Sequence, residues 1–169
     1  MKIIGIILSL TTLLIGGCEN SNNDSSNSPL LGVWVTESCE QASDNTGAPV
    51  NVWLKSLYEF TDQGSIRVGR EEYTESNCST ASNLVEPSEG QVPIKYTDQG
   101  QVLLQEGING GSLFIEMGEG AQLVSLDAFY SINNGSLCFS DAFTFEALTF
   151  GISQSGTDAI DFSNCLTRP

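Results

Sequence analysis

The chain has 169 residues, 40% of them hydrophobic, with 21 acidic and 6 basic side chains, a net charge of −15 and no histidine. Such an acidic surface repels nucleic acid, and the lack of histidine excludes Ser-His-Asp and Cys-His catalytic groups and any histidine-bound metal. A chain of this length is expected to form one folded domain.

Met1 and Lys2 precede an apolar run from Ile3 to Ile15, which ends at Gly16, Gly17 and Cys18. A cationic start, a short apolar stretch and small residues before a cleavage point make a secretion signal, and the run is too short to span a bilayer comfortably as a helix. Ile15-Gly16-Gly17-Cys18, a branched apolar residue, two small ones and a cysteine, resembles the lipobox of bacterial lipoproteins. That resemblance implies cleavage before Cys18 and acylation of Cys18, with palmitate-type chains as the lipid anchor. Two or three such chains hold a protein durably on a bilayer that it does not cross. The expected location is the bacterial cell envelope. Glu19 and Asn20 stand at the sorting positions of such lipoproteins, where Asp would favour inner-membrane retention and Glu does not decide between the membranes; the outer membrane or cell surface is the expected location.

Residues Glu19 to Ser28 contain no apolar side chain and so have nothing to bury. They read as a flexible polar tether ending near Pro29, with a typical reach of ~20 Å. The single domain then runs from Leu31 to Pro169. Without Lys2, five cations face twenty-one acids and the charge moves to −16. A field of that sign steers basic partners and repels anionic headgroups; spread evenly, it serves solubility alone.

Along the domain apolar residues alternate in short runs between Gly, Asn and Asp, the period of half-buried strands. Ten candidates follow: Leu31 to Glu37, Trp53 to Phe60, Gly64 to Tyr73, Val92 to Tyr96, Gln101 to Glu106, Leu113 to Met117, Val124 to Ile132, Gly135 to Ser140, Thr144 to Phe150 and Ala159 to Leu166. Thr144 to Phe150 also fits a helix face. Thr61-Asp62-Gln63-Gly64 and Thr97-Asp98-Gln99-Gly100 are identical tetrapeptides suited to type I turns with a left-handed glycine, and Asn133-Asn134-Gly135 suits a third tight reversal. The expected fold is all-β, an antiparallel meander of about eight to ten strands closed into a barrel, with a β-sandwich as the alternative.

Gly32-Val33-Trp34 at the first strand is similar to the G-x-W opening of lipocalin-like barrels. The resemblance implies that Trp34 packs at the closed end of the barrel beneath an arginine from near the chain's end, a role open to Arg168. The other lipocalin motifs do not match well, and core packing is the ordinary role for Trp34.

Besides Cys18 there are four cysteines, an even number suited to an oxidising compartment. Of the three possible pairings, Cys39 with Cys78 and Cys138 with Cys165 is favoured because each closes neighbouring parts of the chain. No cysteine pair has zinc-ligand spacing, and Asp158 and Asp161 point apart on a strand, so neither metal nor cofactor is expected. Catalysis is left only to paired carboxylates, and no pair stands out among the acids, so an enzyme is not expected.

Two binding functions remain. In the first, a small apolar or amphiphilic ligand sits in a barrel walled by Tyr58, Phe114, Tyr130 and Phe162. Arg70 joins these as an anion-binding candidate if the inward parity of Ile66 and Val68 persists; a bulge at Gly69 would instead put Arg70 outside. In the second, the acidic surface meets a basic protein. Lipoprotein inhibitors of lysozyme make that class concrete, but their S-G-x-x-Y loop is missing, with Ser155-Gly156-Thr157 the nearest approach.

Overall fold

Period-two hydrophobicity dictates pleated ribbons with one buried face. The computed structural model describes residues 28–44, 46–89, 92–140 and 158–169 and contains such ribbons throughout. The strands are β1 (Gly32–Thr36), β2 (Glu40–Ser43), β3 (Pro49–Phe60), β4 (Ile66–Tyr73), β5 (Ala81–Ser88), β6 (Ile94–Leu103), β7 (Asn109–Met117), β8 (Val124–Asn133), β9 (Ser136–Ser140) and β10 (Ile160–Thr167). Cys18 and the candidate strand from Thr144 to Phe150 lie outside the described residues.

One antiparallel sheet runs β5-β4-β3-β1-β10-β9-β8-β7-β6, with β2 also on β3. β1 and β2 share one edge of the long β3, placing Trp34 opposite Tyr58 and Glu40 opposite Leu54. The meander curls until its first and last strands pair, Val35 opposite Thr167.

The expected closure into a barrel is not complete. β4 and β6 meet at one bridge, Ser65 opposite Lys95, beside a hydrogen bond from the Tyr96 N–H to the Gly64 carbonyl at 2.8 Å. No further ladder crosses this seam among the described residues. The reason lies in β5: it is mostly exposed, and its Pro87 has no N–H to offer another strand. Side chains seal what the backbone leaves open. Phe60 and Tyr96 pack edge to face across the seam with centroids 5.2 Å apart, and the Tyr96 hydroxyl donates to the Thr61 carbonyl at 2.8 Å.

The identical tetrapeptides part ways. Thr61 to Gly64 is the β3–β4 turn, with the Gly64 N–H donating to the Thr61 carbonyl at 3.1 Å. Thr97 to Gly100 instead lies inside β6, where pairing with β7 continues on both sides of an irregularity between Asp98 and Gly100. The two strands expected at 92–96 and 101–106 are therefore one. Asn133-Asn134-Gly135 does reverse the chain, with φ of 51° at Asn134 and 87° at Gly135, as a type I′ hairpin requires.

The interior is packed with Trp34, Phe60, Leu113, Ile115, Leu137 and Leu166, none more than 2% exposed. β9 is buried on both faces, since Cys138 and Ser140, alternating with Leu137 and Phe139, are also at most 2% exposed. Both favoured disulfides form. Cys138 and Cys165 are directly opposite on β9 and β10 with Cα atoms 4.3 Å apart, and Cys39 joins the β1–β2 link to Cys78 in the β4–β5 link. Closing loops of 39 and 27 residues restricts the unfolded chain by an amount equivalent to ~3.5 to 4 kcal/mol each. Replacing both members of either pair by Ser is expected to lower the free energy of urea unfolding by about that amount; a loss under ~1 kcal/mol for both pairs would contradict this assignment of stability.

Candidate functional site

Antiparallel alternation gathers both ends of the described chain, the β3–β4 turn, the β6–β7 link and the β8–β9 turn at one end of the sheet. There the G-x-W opening acquires a structural reason. Leu30 is fully buried, and its carbonyl accepts the Trp34 Nε1–H at 2.6 Å. Arg168 arrives at the same place because β1 and β10 pair. Its guanidinium lies 3.9 Å from the Trp34 ring centroid and donates to the carbonyls of Leu31 at 2.7 Å and Pro29 at 3.3 Å. Gly32 has φ of 103°, and a Cβ on it would stand 2.6 Å from the Arg168 Nη1. Glycine thus supplies both the left-handed turn and the room for the arginine, and Arg168 occupies the position over Trp34 that the lipocalin resemblance implied.

Beside this cap lies a carboxylate that sequence reasoning missed. The Asp98 side chain accepts hydrogen bonds from the Ser28 hydroxyl at 2.6 Å, the Tyr130 hydroxyl at 3.1 Å and the Gly100 N–H at 3.0 Å. The β6 irregularity that disappointed the turn expectation presents this group. Tyr130 is buried, and a Cβ on Gly111 would stand 2.3 Å from its ring, so glycine on β7 makes space for the phenol. Burial, then the Asp98 charge and hydrogen bond, raise the Tyr130 pKa. A cavity of about 220 Å³ opens here, lined by Pro29, Gln101, Asn109, Gly110, Tyr130 and Ile132. Its size falls below the ~300 to 1,000 Å³ usual for ligand pockets.

The four rings expected to wall a ligand site do not converge. Tyr58 and Tyr130 belong to the packed core. Phe114 alternates with buried Leu113 and Ile115 and stands half-buried on the opposite face, and Phe162 is 54% exposed. Arg70 is also exposed, but not through a bulge at Gly69. β4 pairs with β3 in unbroken register from Ile66 to Tyr73, so Arg70 keeps the parity of Ile66. The extra residue is in β5, between Val85 and Ser88, and presses on Gly69, where a Cβ would stand 2.5 Å from the Val85 carbonyl. Arg70 lies beyond the packed interior, its Nε 2.8 Å from Glu72. The Asn83 amide and Arg70 hold the Glu72 carboxyl below its usual range.

No group of three or more metal-ligating side chains is assembled among the described residues. No protein-family model, curated protein or solved structure matches the chain.

Two measurements probe this end. Arg168→Ala removes a cation over an aromatic face and two donors to carbonyls, and is expected to cost about 1–2 kcal/mol by urea unfolding, with Arg168→Lys recovering only part; an unchanged midpoint for the alanine variant would remove the cap's significance. All four tyrosines of the chain, Tyr58, Tyr73, Tyr96 and Tyr130, have pKa values raised, first of all by burial, with Tyr73 and Tyr96 at about 12. A raised folded-state pKa means that the unfolded chain releases protons first, so the stability these groups contribute is complete below pH ~10 and is lost as pH climbs through the folded values. Phenolate absorbance is expected to appear together with loss of the β circular dichroism signal; gradual titration of a still folded protein near pH ~10 would contradict it.

Proposed function

We propose that this chain is an exported lipoprotein, anchored to the bacterial cell envelope through acylated Cys18, whose β domain binds a basic protein through its acidic surface and has no catalytic role. Two disulfides suit an oxidising compartment outside the cytoplasm, in keeping with the lipobox-like residues that precede Cys18. The observation that carries the choice of binding mode is the fate of the inward rings. Tyr58 and Tyr130 are consumed by core packing, and Phe114 and Phe162 stand outside it, which leaves carriage of an apolar or amphiphilic ligand without its expected walls. The charge of the chain at −15 favours encounter with a cationic surface.

Native mass spectrometry of the acylated full chain, before and after solvent extraction, separates the two binding functions. The expected spectrum contains the polypeptide with its acyl chains and nothing further; a stoichiometric apolar passenger removed by extraction would overturn the proposal in favour of ligand carriage. Titration against egg-white lysozyme as a basic probe is expected to give binding that weakens at least ~10-fold between 50 and 200 mM salt. Salt-independent binding, or none at the lower salt, would count against the acidic surface as the binding element.

A further inference from the structure

We propose that the end of the sheet carrying both termini is the membrane-facing surface of this protein, and that the end bearing the Cys39–Cys78 disulfide points away from the bilayer. The inference rests on the anchored reading of Cys18 given above and adds an orientation to it. Its starting point is how firmly the chain enters the domain. Ser28 is bonded to Asp98 at 2.6 Å, Pro29 and Leu31 are held by Arg168, and Leu30 is fully buried with its carbonyl on Trp34. The attachment point is therefore fixed at Ser28 on one end of the sheet and cannot slide along the domain.

Lengths then limit the geometry. Ten residues separate Cys18 from Ser28, and a chain of ten cannot span more than ~35 Å even when fully extended. β3 alone has twelve residues, ~40 Å along the strand. At the ~40° tilt of strands in a curled sheet that is a height of roughly 30 Å, so standing the domain on its other end would use most of the tether's fully extended span, whereas the proposed orientation needs almost none of it.

The two tryptophans report on the two ends. Trp34 lies opposite Tyr58 on β3, and Trp53 is five residues farther toward the disulfide end, about 17 Å along the strand. Acylated full-length protein is reconstituted into phosphatidylcholine–phosphatidylglycerol vesicles containing a dansyl-headgroup lipid. Energy transfer is measured for the unsubstituted chain and for Trp53→Phe, whose remaining donor is Trp34; the difference isolates Trp53 without disturbing the core. Transfer from Trp34 is expected to be at least about twice that from Trp53. Equal transfer, or more from Trp53, in protein that floats with the vesicles overturns the orientation and leaves the anchor intact. Protein that does not float with the vesicles overturns the anchored reading, and the orientation with it.

Discussion

The pairing of the first strand with the last, closed over by the Arg168 guanidinium on the Trp34 ring, is the constraint on which the rest of the fold depends. Without it the sheet would separate into β5-β4-β3-β1 and β10-β9-β8-β7-β6, leaving β1 and β10 as two further unpaired edges. With β1 against β10, β3 and β9 fall on either side and their inner faces meet, as the near-parallel rings of Phe60 and Phe139 at 6.4 Å show. The cap also decides where the chain enters. Leu30 is drawn into the core and the residues around it present carbonyls to Trp34 and Arg168, so that entry and exit share one corner of the molecule.

The opposite side of the sheet obeys a different logic. At the seam the backbone contributes one bridge, and the edge-to-face pair of Phe60 and Tyr96 supplies the rest. β5 lies outside this contact, exposed and interrupted by proline, and so finishes the sheet without offering a full row of donors. The Cys39–Cys78 link ties the chain around β2 to the β4–β5 link, beside the mostly exposed β2 and β5, while Cys138–Cys165 joins β10 to β9, which is buried on both faces. One bridge substitutes for packing, and the other reinforces it.

The inward aromatic rings Tyr58 and Tyr130 are taken up by core packing. The site reading drawn from the sequence treated all four rings as inward because each stands in an alternating run. Tyr58 and Tyr130 obey that parity; Phe114 occupies the off-phase position between Leu113 and Ile115, which the sequence itself contained. Asp98 was harder to foresee. Its tetrapeptide is indistinguishable from the one that turns the chain at Asp62, and the difference arises because β7 offers uninterrupted partners on both sides of residues 98 to 100.

Much of the molecule was nonetheless legible without coordinates. Alternation alone dictates pleated strands, and the spacing of four cysteines made neighbouring pairings the economical ones, since both follow from local stereochemistry or chain connectivity. Only the tertiary structure decided that the sheet stays open at β5, that Arg70 keeps its parity yet lies beyond the core, and that an apparent turn becomes a bulge presenting Asp98. Those outcomes depend on which strand a segment meets across the sheet, and residues distant in the chain set that encounter.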